Sequence, residues 1–344
     1  MKNDKHKVAA TIVVTILLAL LLNEANSWRH FDWASFWKNA RQASLVHAVV
    51  ATAITYLGFV LRAMRWRVFL SPTTTVDTTQ LIGPTVVGFS ALALLGRPGE
   101  FIRPYMIARQ TKLTFSSQIA ILLFERVFDT VSAGVVITAA LLLSPDLRTL
   151  PHMAQLQRAI VILSMIFMIL GLCLFLLARQ RGVLGHVLLR VLSRVSLQFA
   201  EKVNRRLTAF GGELDLIRGR TPLVQIIVLS ILTWFLSGIS YLETIHAFAG
   251  ARHISVTDAM VLLGFGLVGS LIQLPGGGSQ QLVIIAALIN VFGLRAELAV
   301  SCSLLGWLTI FMAPVPIGLM LLRYQGLSLR GLSIQVLDKV EGVP

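Results

Sequence analysis

The sequence predicts an all-α membrane protein with about six transmembrane helices and two re-entrant helical hairpins, arranged as an inverted repeat. The chain is 56% hydrophobic and only 13% charged, whereas a soluble domain carries about 25% charged residues. Its apolar residues are concentrated in runs long enough to cross a bilayer. Two further apolar runs end in glycine and proline, which favour a reversal of the chain.

The apolar runs place six transmembrane helices, each near or above the roughly 17 residues that a tilted span needs. Their approximate ranges are 8–22, 44–61, 116–143, 159–178, 223–249 and 297–322. The first run follows three lysines at the N-terminus and precedes residues 25–27, Ala-Asn-Ser, which resemble a signal-peptide cleavage site. A signal peptide and a retained anchor are both open for it. We expect a retained anchor, because the rest of the chain is itself membrane-embedded.

The two hairpins are predicted from the shorter apolar runs, at about 80–95 and 256–274. Each run is followed by only a short segment before the next loop, so it is better explained as half of a re-entrant hairpin than as a full span. The first hairpin turns in GRPGEFIRP, residues 96–104, and the second in LPGGGSQQ, residues 274–281.

Basic residues are distributed unequally between the two sides of this topology. One set of loops carries 22 Lys and Arg and the other carries 7, with Arg126 assigned to a span. Cytoplasmic loops are enriched in Lys and Arg. We therefore expect a multi-pass protein of the cytoplasmic membrane with both termini in the cytoplasm. The net charge of +14 then has a membrane explanation, so nothing favours nucleic acid as a partner.

This topology turns the first hairpin in from the cytoplasm and the second in from outside, each between two spans. The chain is thus expected to form one membrane domain, residues 1–344, with inverted repeats at about 44–143 and 223–322. A basic, amphipathic cytoplasmic connector is predicted at about 179–222. Inverted repeats place substrate sites near the bilayer midplane, at the tips of broken helices.

The first hairpin supplies a candidate anion site. Gly96 and Gly99 allow a tight reversal into a helix at about 99–109. The N-terminus of that helix would offer unpaired amides inside the membrane. Arg97 and Arg103 add full positive charges. The alternative is a surface turn whose arginines extend to the lipid headgroups.

The second hairpin repeats the arrangement. The turn is expected to run from Pro275 to Gly278, through Gly276 and Gly277. Ser279 is a candidate N-cap for a helix that ends near residue 292. Two helix N-termini at depth would favour an anionic ligand between them.

The span after the first hairpin contains three charged residues, Glu125, Arg126 and Asp129, in one sector of the helix. Each intramembrane charge costs about 2.5–3.5 kcal/mol on insertion scales, so these side chains should share partners or water. Arg126 is expected to pair with Asp129 and, across the hairpin, with Glu100. Such pairing is compatible with a substrate site, because a binding cavity needs oriented charges.

GRPGEFIRP, the ERVFD segment at 125–129 and LPGGG resemble the transmembrane region of the lysylphosphatidylglycerol synthase/flippase family, over about residues 43–324. The resemblance implies a stand-alone flippase-like domain that binds or moves anionic phospholipid headgroups, without the soluble aminoacyltransferase domain of full synthases. It carries over as site residues Gly96, Arg97, Gly99, Glu100, Arg103, Glu125, Arg126, Asp129, Pro275, Gly276 and Gly277.

The sequence departs from the family pattern at two places in its second half. Ser279, Gln280 and Gln281 stand where the family commonly has a Gly-x-x-Glu run. Gly306 and Trp307 stand where the last span often bears an arginine. The second half therefore carries fewer charges than the family pattern. A polyprenyl or hopanoid lipid is as good a candidate ligand as an aminoacylated phospholipid.

We therefore expect a non-enzymatic protein that binds, and translocates, an anionic phospholipid or another phosphorylated lipid. No cofactor, metal site or catalytic residue is expected. An accessory subunit of a lipid-synthesis system is the alternative, and a homodimer or a complex with a synthesis enzyme stays open. A lipid-phosphate enzyme using Mg²⁺ on Glu100, Glu125 and Asp129 is less favoured, because arginines crowd these carboxylates.

Overall fold

The computed structural model describes residues 31–144, 220–270 and 275–341, together with Met165 and Ile169. These residues form helices, with no strand among them, so the all-α prediction is confirmed. In chain order the α-helices are α1 (Trp33–Gln42), α2 (Leu45–Leu70), α3 (Thr78–Leu95), α4 (Ile102–Thr111), α5 (Phe115–Leu143), α6 (Arg220–His246), α7 (Val256–Ser270), α8 (Gly278–Asn290), α9 (Ala296–Gly306), α10 (Pro314–Tyr324) and α11 (Leu329–Glu341).

Five of the described helices are long and apolar enough to cross a membrane. They are α2, α3, α5, α6 and the continuous segment Ala296–Tyr324, in which the π-helical stretch Trp307–Phe311 joins α9 to α10. The polytopic prediction is therefore confirmed. The helix α3, predicted as half a hairpin, has 18 residues and is thus about 27 Å long. The predicted spans at 8–22 and 159–178 and the predicted connector lie outside the described residues, apart from a few positions at 165, 169 and 220–222.

The helix α2 corrects one assignment made from the hydropathy pattern. It continues to Leu70, beyond the predicted end of this span at residue 61, because Trp66, Phe69 and Leu70 are buried in an apolar cluster. Arg62 and Arg65 therefore lie on a packed helix and not in a cytoplasmic loop. The excess of Lys and Arg keeps its direction when these two residues are removed from the count.

The central helices α2 and α6 pack antiparallel. Near the start of α2, His47 Nδ1 lies 2.7 Å from Glu243 Oε2, close to the end of α6. Further along α2, Arg65 donates to the Ser230 hydroxyl at 2.7 Å, nearer the start of α6. The residue numbers of the contacts thus fall along α6 as they rise along α2. The start of α2 and the end of α6 therefore lie on the same side of the bundle.

The short helix α1 has the features of an interfacial helix on that same side. Asp32 caps it by accepting from the Ala34 amide at 2.9 Å. The pKa of Asp32 is lowered, mainly because the Ser35 side chain donates to its carboxylate. Trp33 and Trp37, one helical turn apart, are exposed, and exposed tryptophans are typical of the boundary between lipid and water.

The first predicted turn is present between α3 and α4. Gly96 ends α3 with φ +69°, and a 3-10 turn, Arg97–Phe101, leads into α4, where a single helix over 99–109 was expected. A Cβ on Gly99 would lie 2.2 Å from the carbonyl oxygen of Ala91. Glycine is therefore required there, because the turn lies directly against the backbone of α3.

The second turn is formed by Pro275–Gly277, with positive φ at Gly276 and Gly277. The N-cap of α8 is Gly277, so the assignment of Ser279 as N-cap is wrong. Ser279 lies buried in the first turn of α8, because the left-handed conformation of Gly277 starts the helix earlier. A Cβ on Gly277 would lie 2.8 Å from the ring of Phe311.

The two turns contact equivalent positions of two long helices. Glu100 contacts Arg126, the twelfth of the 29 residues of α5. The Gly276 carbonyl accepts from the Trp307 indole at 2.7 Å, and Trp307 is the twelfth residue of the 29-residue segment Ala296–Tyr324. Both contacts therefore lie about 17 Å along their helix. In addition, α3 packs on α10 while α7 packs on α5. An inverted repeat would produce this reciprocity, although the repeat itself stays a prediction.

Candidate functional site

Seven charged side chains among the described residues meet between α2, the first turn, α4 and α5. We call this set the charge cluster: Arg62, Arg65, Glu100, Arg103, Glu125, Arg126 and Asp129. Four guanidinium groups face three carboxylates, which leaves one net positive charge. The sequence pattern predicted five of these residues as site residues and missed the two arginines of α2.

Arg65 is the centre of the charge cluster. Its side chain is fully buried and donates to Asp129 Oδ1 at 2.7 Å and to Glu125 Oε1 at 2.6 Å. Its Nε finds no hydrogen-bond acceptor among the described residues. A buried charge is tolerated only when it is paired and hydrogen-bonded. Arg65 therefore has a bracing role between α2 and α5.

Arg103 is likewise paired with other side chains of the protein. It is buried on α4 and donates to Glu125 Oε2. Its guanidinium carbon lies 4.2 Å from the ring centroid of Trp66, a cation–π distance. Gly88 of α3 makes room for it, because a Cβ there would lie 2.5 Å from Arg103 Cβ. Arg103 and Glu125 thus form a layer behind the more accessible charges.

Arg126 makes both predicted contacts. Its Nε lies 2.8 Å from Glu100 Oε1, and its terminal nitrogen lies 3.8 Å from Asp129 Oδ2. Arg62 approaches the same Asp129 oxygen at 3.7 Å. That oxygen is buried and accepts no hydrogen bond from the described residues. The Arg126 side chain is nevertheless 43% exposed, because it borders an open space.

That space is a cavity of about 260 Å³ between α2, α3, α5, α6, α7, α8 and the segment Trp307–Phe311. Its charged lining residues are Arg62, Glu100 and Arg126. Its uncharged polar lining residues are Thr55, Ser237, Ser240, Tyr241, Ser270 and Gln280. Phe59, Phe89 and several aliphatic side chains complete the wall. Helices of both predicted repeats therefore contribute to one cavity.

The remaining predicted site residues shape the turns and do not line the cavity. Arg97 is exposed, and Gly99 is buried against α3. The turn Pro275–Gly277 packs against α3, and Ser279 is buried. The second motif reaches the cavity through Gln280.

Three of the missed residues had a detectable signal in the sequence. Thr55, Arg62 and Arg65 recur at helical spacing and share one face of α2 if the span is extended past residue 61. Tyr241, which accepts from the Gln280 amide at 2.9 Å, lacked such a signal, because an aromatic residue within an apolar span is usually a core residue.

A bundle in which five of the described helices are long and apolar enough to cross a membrane is that of a polytopic α-helical membrane protein. The family model described as the Lysylphosphatidylglycerol synthase TM region matches residues 8–318. The chain belongs to this family, which confirms the resemblance seen in its motifs. Comparison with curated proteins gave no match, and comparison with solved structures gave none either.

Proposed function

We propose that this protein binds an anionic phospholipid or another phosphorylated lipid by its headgroup in the cavity and moves it across the cytoplasmic membrane, without catalysing a reaction. The observation that carries the proposal is the exposure of Arg62 and Arg126 to the cavity, in front of a cluster with one net positive charge. Guanidinium groups suit phosphate because their donors match its oxygens.

The ion pairs of the charge cluster leave Arg62 and the terminal nitrogens of Arg126 available, while Arg126 Nε lies 2.8 Å from Glu100 Oε1. Arg65 and Arg103 bind Glu125 closely, and Arg65 also occupies one oxygen of Asp129. Arg62 and Arg126 approach the other Asp129 oxygen only at 3.7 and 3.8 Å. Those distances exceed a normal hydrogen bond. A phosphate in the cavity would therefore add charge-assisted bonds without breaking the bracing pairs.

Movement across the membrane is supported by the depth of the two turns. Each turn contacts a long helix about 17 Å from its start, which is roughly half the thickness of the hydrocarbon core. We propose that α3–α4 and α7–α8 are the re-entrant hairpins and that they enter from opposite sides, although α3 alone is long enough to cross a membrane. In transporters with inverted repeats, rocking of one repeat against the other exposes such a site alternately.

The carboxylates of the site are poorly suited to an enzymatic cation. Glu100 lies 2.8 Å from the Arg126 guanidinium. Glu125 and Asp129 lie 2.6 and 2.7 Å from the Arg65 guanidinium. A divalent cation would have to displace these arginines before binding the carboxylates. This supports a binding and transport role over hydrolysis of a lipid phosphate.

Reconstitution tests the proposal directly. The purified full chain is placed in vesicles with fluorescently labelled phosphatidylglycerol, and movement between leaflets is followed by quenching of the outer-leaflet label. We expect movement by the lone protein and its loss in the double variant Arg62→Gln and Arg126→Gln, with labelled phosphatidylcholine as the control lipid. Absence of movement with each labelled lipid would contradict transport and favour the accessory role.

A further inference from the structure

The cavity wall has two chemically different parts. Arg62, Glu100 and Arg126 supply the charges, whereas α2, α6, α7 and α8 supply hydroxyl and amide groups. We infer that the cavity takes a lipid whose phosphate carries an uncharged, hydroxyl-bearing group, such as glycerol or a sugar, and that it discriminates against aminoacylated headgroups. This inference rests on the proposed function and specifies the class of lipid.

The hydroxyls of α2 and α6 offer acceptor oxygens to the cavity. Thr55 and Ser240 lie 2.9 Å apart and each lies within hydrogen-bond distance of the Ala51 carbonyl. Ser237 donates to the Thr233 carbonyl at 2.9 Å. Their protons are thus committed to the helices, while lone pairs remain available. A hydroxyl group of a ligand can donate to such oxygens.

A complementary donor comes from the contact between α6 and α8. The Gln280 amide nitrogen donates to the Tyr241 hydroxyl at 2.9 Å. Because that hydroxyl accepts from Gln280, it keeps its own proton for a second partner, and the Gln280 amide oxygen remains an acceptor. Both residues line the cavity. The wall therefore offers donors and acceptors together, which matches the dual character of a polyol.

The same wall is unsuited to an ammonium group. Among the described residues that line the cavity, Glu100 is the only carboxylate, and it contacts Arg126 at 2.8 Å. An aminoacyl headgroup would bring a further positive charge beside Arg62 and Arg126 with no unpaired carboxylate to receive it. Like charges in such a site select against that ligand.

Two lipids of equal charge test the polyol contacts. Phosphatidylglycerol and phosphatidylpropanol both carry one phosphodiester and a three-carbon headgroup, but the second lacks the hydroxyls. In nanodiscs of phosphatidylcholine, the full chain should bind phosphatidylglycerol about fivefold more tightly, the equivalent of one net hydrogen bond. The Tyr241→Phe variant should lower the affinity for phosphatidylglycerol more than the affinity for phosphatidylpropanol, and so reduce this ratio.

The outcomes separate this inference from the proposed function. Equal affinity for the two anionic lipids would overturn the inference and leave anionic-lipid binding intact. Failure of both to bind would overturn the proposed function itself. Glycerol phosphate in solution should not displace the lipid, and displacement at equal concentration would assign the cavity to a soluble ester, which also overturns the proposed function.

A charge substitution tests the selectivity in the opposite direction. Gln280→Glu adds a carboxylate to the cavity and should shift the affinity ratio of lysylphosphatidylglycerol to phosphatidylglycerol at least about tenfold towards the lysyl lipid. Gln281→Glu is the matched control, because Gln281 lies on the same helix and binds the Ser303 hydroxyl at 2.7 Å, away from the cavity lining. Tighter binding of the lysyl lipid by the unsubstituted protein, or an unchanged ratio in folded Gln280→Glu, would overturn the inference.

Discussion

The Arg65 guanidinium donates to Asp129 Oδ1 at 2.7 Å and thereby joins α2 to α5 inside the bundle. A second nitrogen of the same group donates to Glu125 Oε1, one helical turn earlier on α5. One buried cation thus bridges two carboxylates that α5 brings to a single face. The position of Asp129 matters for the cavity, because its second oxygen lies 3.7 Å from Arg62 and 3.8 Å from Arg126.

Arg65→Ala is expected to destabilise the protein by about 3–5 kcal/mol, because it leaves buried carboxylates without their main partner. The measurement is the unfolding midpoint in detergent, together with the amount of protein in the membrane. Arg67→Ala is the control, since Arg67 is exposed on the same helix. Equal midpoints for the two variants would show that the contact between α2 and α5 is dispensable.

Arg126→Lys is expected to fold normally and to bind anionic lipid about tenfold more weakly. Charge is retained, whereas the forked donors that suit phosphate are lost. Folding should persist because Asp129 is held by Arg65 and because Arg126 is partly exposed. Binding to vesicles that contain phosphatidylglycerol measures the effect, with the exposed Arg109→Lys as the control. Native affinity in well-folded Arg126→Lys would restrict Arg126 to a structural role.

Gly99→Ala is expected to cost about 1–3 kcal/mol or to prevent accumulation, because its Cβ would lie 2.2 Å from backbone of α3. Gly83→Ala is the matched substitution on α3, where a Cβ meets nothing within 4 Å. Replacing glycine within a helix should even stabilise it slightly. Thermal unfolding of both variants compares them, and an unaffected Gly99→Ala protein would show that the turn is not held tightly against α3.

The contacts that were predicted from sequence are the local ones. Arg126 and Asp129 are three residues apart on one helix, so helical geometry alone brings them together. The pairing of Arg126 with Glu100 followed from the turn at Gly96, which brings the two chain segments together. Glycine and proline mark such turns whatever the surrounding fold.

The features that were missed depend on tertiary packing. A hydropathy window ends a span at its first charges, so Arg62 and Arg65 were assigned to a loop. In the structure α2 continues because the carboxylates of α5 receive these arginines. The N-cap was misplaced for a related reason, since serine favours that position in general but the positive φ of Gly277 determines the start of α8.

The orientation predicted from the basic residues can be tested at two exposed positions of the described chain. After replacement of Cys173 and Cys302, Lys38→Cys on α1 should react with an impermeant maleimide in intact spheroplasts. Arg109→Cys on α4 should react only after permeabilisation. Both side chains are exposed, so accessibility depends on the side of the membrane. The reverse pattern would place the termini outside and invert both hairpins.

Glu100→Gln is expected to tighten the binding of anionic lipid. Glu100 contacts Arg126 Nε at 2.8 Å and is 26% exposed, so its loss should affect stability little. Without that carboxylate the charge cluster gains one further unit of positive charge, and Arg126 is released towards the cavity. A solvent-screened charge at about 4 Å is worth about 1 kcal/mol, or about fivefold in affinity.

The gain in Glu100→Gln should decrease as salt is raised, because screening weakens interactions between accessible charges. Titrations at low and high ionic strength, from about pH 5 to 8, separate this electrostatic effect from proton coupling. If Glu100 only neutralises Arg126, the Glu100→Gln variant should bind the lipid more tightly than the unsubstituted protein at every pH. If Glu100 instead takes up a proton when lipid binds, the lipid affinity of the unsubstituted protein should depend on pH. The affinity of the Glu100→Gln variant should then be independent of pH. Weaker binding by the variant throughout would show that Glu100 contacts the lipid as an acceptor.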